Sequence, residues 1–407
     1  MEITDIFERE LQKTTVFTDR NALSQHYLPD VLPHRERQIE QVTKLLAPAL
    51  SGKRIHNLFV YGKTGIGKTA TTRHVIAKLI QIKEKYKANV DALYVNCHSI
   101  KSTYGVMLKC AEYCDQQLTG REKLQGFPLQ KLLEKLMKHV NEHSTTFIVV
   151  LDEIDKIHNL NELMYALTRA NDELEKGHVA IIGITNNLMF KKQLDPRSKS
   201  TLCEEEIVFP PYNAEQLSEI LAQRVKLGFK PGIVNGKAVE LASAIAAQES
   251  GDARYALKLL LKAGEIADEN NVREVNEDKI VKAKKGVEDE IVYEAISQLP
   301  EHQKIALYAI ANLAADNSHY DRLDGAGEER VMFSGEVYEK YSGICKKLGK
   351  EEKTARWCRE YINELEMQGL VTTKLSGKGI RGNTTLINLT VPPKKVCEVI
   401  EKHFKEH

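Results

Sequence analysis

No apolar run in this chain is long enough to cross a bilayer. The longest, "FIVVL" at 147–151 and "VAIIGI" at 179–184, are a fraction of the roughly 20 residues that a spanning helix needs. The opening stretch, "MEITDIFERELQK", is charged throughout and has no apolar segment of the kind a secretion signal carries. Together these point away from the membrane and towards a cytoplasmic location. The seven cysteines (97, 110, 114, 203, 345, 358 and 397) contain no C-x-x-C pair. Cys110 and Cys114 stand four apart on an expected helix, with no histidine or cysteine near them in sequence, so scattered reduced thiols are the expectation. Net charge is also missing: 58 basic side chains face 57 acidic ones, so global charge argues neither for nor against nucleic acid. No internal repeat and no low-complexity tract is visible.

What is present is a soluble, globular composition over 407 residues, too many for one ordinary core, so two or three domains are expected. Residues 57 to 212 alternate short apolar runs with helical stretches. "NLFVYG" (57–62) reads as a buried strand, and "ALYVNC" (92–97), "TFIVVLDE" (146–153), "VAIIGITN" (179–186) and "EEEIVF" (204–209) as a second to a fifth strand. Apolar strands separated by helices imply a parallel sheet covered on both faces. The prolines of "FPPYN" (209–213) end the pattern. From 214 to about 286 the periodicity is wholly helical. A third region holds helices and then "GLVTTKLSGKGIRGNTTLINLTV", two strand-like runs joined by a glycine-rich turn. The fold class expected is α/β, with a small all-helical domain and a C-terminal domain, over the spans 1–212, 213–286 and 287–407.

Gly62, Gly67, Lys68 and Thr69 satisfy G-x-x-x-x-G-K-[ST]. Glycines let backbone N–H groups turn inward around a phosphate, and the helix that follows directs its dipole at the same anion. In this pattern the lysine reaches the β/γ-phosphates and the threonine hydroxyl binds Mg²⁺. A chance glycine turn can match the spacing alone, but here a strand precedes the match and a helix follows. "IVVLDEID" supplies a second carboxylate. Asp152 emerges at the C-terminal edge of its strand, where open α/β sheets bind ligands, and Glu153 is placed to polarise an attacking water. Asn186 ends another strand and could orient that water. Arg254, at the helix start in "SGDARYALKLL", could fold onto the phosphates and report nucleotide state as domain closure; a plain surface arginine is the competing reading.

Residues 371 to 395 carry Lys374, Lys378, Arg381, Lys394 and Lys395 and no acid. "SGKGIRGNTT" is too glycine-rich to pack a core, and a basic hairpin tip suits phosphates and the minor groove. Just before it, "EEKTARWCREYINELEMQGL" reads as an amphipathic helix with Tyr361 and Leu365 on the core face. Lys353, Thr354, Arg356 and Arg359 sit near its start, where a recognition helix meets bases or phosphates. A solvated basic face is the alternative. Trp357 is expected in the core rather than as a base-stacking platform.

"GKTGIGKT", "VVLDEID", "GITNN", "FPPY" and "GDARYALKLL", in this order, resemble the AAA+ ATPases of the origin-recognition and helicase-loader family in its archaeal single-chain form. "YLPDVLPHRERQI" (27–39) resembles that family's segment beside the adenine. "FSGEVYEKYSGICKKLG" with "ELEMQGLV" resembles its winged-helix domain. The resemblance covers nearly the whole chain. It implies an AAA+ P-loop domain, a helical lid and a winged helix. It assigns ATP/ADP contacts to Gly62, Lys63, Thr64, Gly65, Ile66, Gly67, Lys68, Thr69, Ala70, Tyr212 and Arg254, and Mg²⁺ to Thr69 and Asp152. Glu153, Asn186 and Arg254 become the catalytic set, the last two as sensors. Arg197, in "LDPRSKSTL", is the candidate trans-acting arginine, although Ser200-Thr201 stands where related complexes show Ser-Arg. The insertion around Ser99 to Phe127 corresponds to an element that in this family touches DNA.

The function so implied is an ATP-regulated replication initiator. It would recognise double-stranded origin DNA, help load the replicative helicase, self-associate on DNA, and use slow Mg²⁺-dependent hydrolysis as a switch. It would be cytoplasmic and chromosome-associated. Two other readings compete. A clamp-loader-like or protein-remodelling motor would need continuous turnover; the unfoldase pore-loop pattern is broken at Tyr104-Gly105 in "HSIKSTYGVML". A winged-helix transcriptional regulator with a vestigial ATPase sits badly with an intact Asp152 and Glu153.

Overall fold

The structure, a computed structural model, describes residues 15–25, 27–117, 124–187, 189–202, 204–315, 332–375 and 385–406. The chain divides into two compact units, Met1–Ala283 and Lys284–His407. Among the described residues no helix is long and apolar enough to cross a membrane.

The first unit is built on five parallel strands: β1 (Leu58–Tyr61), β2 (Val90–Asn96), β3 (Thr146–Asp152), β4 (His178–Thr185) and β5 (Glu205–Val208). They lie in the order β2-β3-β4-β1-β5. β3 and β4 are buried at every residue, which is why both read as unbroken apolar runs: a central strand of a parallel sheet has no solvent face to alternate towards. The register sets Asn96 beside Asp152, Asp152 beside Ile184, and Tyr61 beside both Thr185 and Val208. The C-terminal ends of the strands therefore form one edge, and the candidate chemistry collects there. Helices Lys68–Tyr86, Thr103–Gln117, Leu129–His143 and Leu160–Glu173 connect and cover the sheet. The apolar faces of the last three meet Phe147, Val149 and Leu151 in a core that also takes in Cys110 and Cys114. Burial pushes the Cys110 thiol up to about 12, so it stays a neutral, unreactive thiol. Helices Phe190–Gln193 and Pro196–Leu202 fill the segment between β4 and β5.

Three helices follow in the same unit: Ala214–Gly228, Gly236–Glu249 and Ala253–Glu269. Each starts on an Asn or Asp whose side chain accepts a backbone N–H of the first turn; Asn213 and Gln216 complete a capping box. The N-terminal segment is stitched to these helices. Phe17 pairs with Phe229, ring centroids 4.9 Å apart. The buried Arg224 guanidinium donates to the carbonyls of Ala22 and Tyr27, each at 3.2 Å.

One buried histidine makes the fold acid-sensitive. His178 Nε2 accepts the Ile55 N–H at 3.0 Å, so the ring must be neutral. Burial, aided by Arg54, lowers its pKa to about 4 from the usual 6.5. The unfolded chain takes up this proton first as pH falls, so stability is complete above pH 6.5 and drains away between 6.5 and 4. The loss should reach about 3 kcal/mol. Urea unfolding of His178→Gln should show a shallower pH slope across that window than the unsubstituted chain; equal slopes would remove His178 from the account.

The second unit has helices Glu301–Ala315, Ser334–Lys347, Ala355–Met367 and Pro393–Glu406 around an antiparallel sheet of β6 (Met332–Phe333), β7 (Val371–Leu375) and β8 (Thr385–Leu389), ordered β6-β8-β7. This is a winged-helix arrangement. Its core is formed by Ile305, Ile310, Val337, Tyr341, Leu365 and Ile387, among others. The helix Glu277–Ser297 is continuous and runs through the expected junction at 286. Lys378, Arg381 and the segment 321–330 lie outside the described residues. Trp357 corrects the reading of the sequence: it is 55% exposed rather than in the core. The buried stripe of its helix falls on Cys358, Ile362 and Leu365. Trp357 precedes the first of these by one residue, which turns it about 100° off that stripe.

Candidate functional site

The turn between β1 and the helix Lys68–Tyr86 has glycines with positive φ at 62, 65 and 67. Each also has a protein neighbour that leaves no room for a side chain. A Cβ on Gly62 would lie 2.5 Å from the Phe209 carbonyl oxygen, one on Gly65 would run into the Asp252 carboxylate, and one on Gly67 would lie 2.9 Å from the Tyr212 hydroxyl. The loop is thus wedged between the exit of β5 and the start of the helix Ala253–Glu269. Ala253 N–H donates to the Gly65 carbonyl at 3.1 Å.

Lys68 opens its helix and is buried. Its ammonium donates to the Gly62 carbonyl at 2.8 Å, to the Lys63 carbonyl, and to Asn186 Oδ1 at 2.7 Å. Burial, with Arg254 as a second cause, lowers its pKa to about 8; Asp152, Asp252 and Glu153 oppose the shift. Lys68, at the start of its helix, and Asn186, just past the tip of β4, are therefore in direct contact. Thr69 donates its hydroxyl to Asp152 Oδ2 at 2.8 Å. Tyr94 donates to the same oxygen, and its own ionisation is pushed up by burial and by Asp152. Arg73 lies over the Tyr94 ring at 4.1 Å.

Glu153 follows Asp152 with φ 56°, a left-handed conformation that few non-glycine residues adopt. That turn takes its side chain off the strand direction. Its Oε2 is 3.5 Å from His98 Nδ1, and its N–H donates to Asp152 Oδ1 at 3.1 Å. Behind it, Thr185 donates to Asp155 at 2.6 Å, which fixes the end of β4 against the turn after β3. Arg254 is exposed; its N–H caps onto Asp252 at 2.7 Å. The structure thus brings Lys68, Thr69, Asp152, Glu153 and Asn186 to one edge. Arg254 lies close enough for its charge to be felt at Lys68. Arg197 is exposed on the helix Pro196–Leu202, its N–H donating to Asp195.

Arg35 is a site residue that the sequence quoted without assigning. It is 2% exposed. Its guanidinium donates to the carbonyls of Ile66, His34 and Pro210, each at 2.9 Å, and lies 3.7 Å from the Tyr212 ring centroid. One side chain so ties the glycine loop to the segment leaving β5. Asp252, Tyr94 and His98 were also missed. Only Asp252 left a local signal, as the acid preceding a helical run.

A divalent cation fits this chemistry. Thr69 and Asp152 offer two hard oxygens already in contact, and Mg²⁺ is commonly held by one or two carboxylates plus phosphate oxygens and water. Among the described residues no group of three or more His, Cys, Asp or Glu is placed to hold a metal, so the remaining ligands of a Mg²⁺ here would be water and phosphate oxygens.

In the second unit, Thr354 precedes the helix Ala355–Met367. Thr354, Arg356 and Arg359 are exposed, while Lys353 is half-buried and paired with Glu351 at 3.0 Å.

Comparison with known proteins gives three family matches: an AAA ATPase domain over residues 31–182, a Cdc6 AAA+ ATPase-type lid domain over 218–285, and a CDC6 C-terminal winged helix domain over 294–399. An ORC1-type DNA replication protein from Pyrococcus horikoshii is 39% identical over 99% of this chain and 94% of its own length. An ORC1-type DNA replication protein 1 from Archaeoglobus fulgidus is 38% identical over 98% and 94%. The solved structure of the Aeropyrum pernix ORC1 protein in complex with DNA matches at a TM-score of 0.82 and 35% identity, covering 97% of this chain and 99% of that one.

Proposed function

The chain belongs to the family of ORC1-type DNA replication proteins, AAA+ ATPases with a Cdc6-type lid and a winged helix, and from that premise we propose that it is an ATP-switched initiator that binds double-stranded origin DNA and helps load the replicative helicase. The observation that carries the switch is the meeting of Lys68, Thr69, Asp152 and Asn186 at one sheet edge. Lys68 and the N–H groups of residues 62–70 would bind the β- and γ-phosphates, and Tyr212 would lie beside the nucleotide. Thr69 and Asp152 would hold Mg²⁺, which supplies neutralisation of phosphate charge. Asn186 would orient the attacking water and Glu153 would take its proton. Arg254 would reach the phosphates from the helical domain, coupling that domain to the nucleotide.

Slow turnover is supported by two features. Glu153 is engaged by His98, and the residue following Ser200 is Thr201 rather than an arginine, so Arg197 is the arginine that the segment 194–202 offers a neighbour. Self-association on DNA would bring that arginine to a second site. No observation favours the remodelling or transcriptional reading over this one.

DNA binding is supported by the exposed Arg356 and Arg359 at the start of a winged-helix recognition helix and by the Aeropyrum ORC1 protein having been solved with DNA. The basic segment between β7 and β8, read from the sequence as a hairpin tip, tests it. Replacing Lys378 and Arg381 together with Ala should weaken duplex binding. It should also flatten the plot of log K against log salt by about 0.9 for each phosphate the protein no longer neutralises. ATP affinity should not change. A double variant that keeps both affinity and slope would show that DNA binding does not run through the hairpin.

A further inference from the structure

We propose that Trp357 reads DNA: its indole packs on thymine methyl groups in the major groove. The inference rests on the DNA-binding reading above and adds to it a residue and a chemistry. Trp357 is the chain's only tryptophan and is 55% exposed. An indole this exposed on a helix leaves much of its apolar face in water, and its apolar body with a polar N–H suits an interface.

The ring is braced from within. It lies 6.3 Å from the Tyr361 ring, Tyr361 stacks on His302 with planes 10° apart, and His302 Nδ1 is 2.8 Å from the hydroxyl of the fully buried Tyr341. The indole is therefore held in place on its inner side and open on its outer side, an arrangement that costs little ordering on contact. Arg356 and Arg359, exposed on the same turns, supply the charge that a nucleic acid requires.

The neighbouring charges also say which part of the DNA is met. By helical spacing, Arg356 and Glu360 share the outward face, with Trp357 on one flank and Arg359 on the other. Glu360 is exposed. A carboxylate in that position repels a phosphate strand, so this face suits the groove floor, with Trp357 on one side of Glu360 and the two arginines on the other. In a stacked duplex the flat faces of the bases are covered and an indole on a rigid helix cannot stack on them. The apolar group that a base edge presents in the major groove is the C5-methyl of thymine.

The test uses the full chain and an A·T-rich duplex, made once with thymine and once with uracil, which lacks only the methyl. Binding is followed by anisotropy of the labelled duplex. Trp357 emission is followed by exciting at the red edge of indole absorption, where tyrosine is silent. The expected result is a change in emission on binding, and about a fourfold loss of affinity per contacted methyl on going to uracil, the worth of one buried methyl. Trp357→Ala should bind the thymine duplex more weakly and show no thymine–uracil difference. Trp357→Phe should keep part of that difference. If the duplex binds but emission and the uracil ratio stay flat, the inference fails and the DNA-binding reading survives. If unpaired DNA is preferred and methyls do not matter, Trp357 stacks on bases and the inference fails. If no DNA binds at all, the reading beneath it fails as well.

Discussion

Lys68→Ala should lose tight ATP binding, with Kd rising at least about 100-fold by isothermal titration. The size follows from what the ammonium does. It is the cation at the centre of the glycine loop, buried, with acceptors from the loop and from Asn186 on three sides. A hydrogen bond to a charged group is worth about 1.5–3 kcal/mol, and removing two such bonds to phosphate, at the lower figure, already amounts to about a hundredfold. The depressed pKa of about 8 adds a pH test. Burial is its main cause, and an incoming phosphate restores the charge balance, so ATP should bind together with a proton above pH 8 and affinity should fall as pH rises further. DNA affinity measured without nucleotide should be unchanged. Normal ATP affinity in the variant would show that Lys68 only staples its own loop to Asn186.

Much of this site is legible along the chain because its parts are local. A glycine turn between a strand and a helix, and a carboxylate pair closing an apolar strand, are patterns that neighbouring residues enforce on one another. The central strands β3 and β4 were visible for the same reason, since the buried interior of a parallel sheet imposes continuous apolar runs, while the edge strands β2 and β5 carry shorter apolar stretches with acids beside them. What stayed hidden is what forms at long range. Arg35 meets Pro210 across 175 positions, and nothing around it distinguishes it from a surface arginine. Asp252 announces itself as a helix cap, but not as the group filling the space over Gly65. Tyr94 lies on an edge strand and is an ordinary strand residue until Asp152 is brought beside it. Trp357 misled for a different reason: large aromatic residues belong in cores on average, and a shift of one residue in a 3.6-residue repeat decides the side on which a ring emerges.

Glu153→Gln should separate binding from chemistry. The substitution keeps the shape of the side chain and removes the proton acceptor, at a position partly open to solvent and engaged by His98 alone among its side-chain ion pairs. Nothing in the core depends on it, so fold and ATP affinity should be retained. Single-turnover hydrolysis should fall at least about 100-fold, the scale on which a positioned general base acts, equivalent to about 2.7 kcal/mol of barrier. Asp152→Asn makes the contrast. It weakens the acceptor shared by Thr69 and Tyr94 and with it the expected Mg²⁺ site, so ATP affinity and rate should fall together and excess Mg²⁺ should recover part of both. Excess Mg²⁺ should do nothing for Glu153→Gln, whose defect is in proton transfer. The contacts sharpen the comparison: Glu153, at a left-handed backbone position, pairs with His98, while Asp152 accepts from Thr69 and Tyr94, so the two acids, adjacent in sequence, have different partners. If Glu153→Gln hydrolyses ATP at the unsubstituted rate with affinity intact, the base is another group. If it loses affinity as Asp152→Asn does, the two carboxylates share one role.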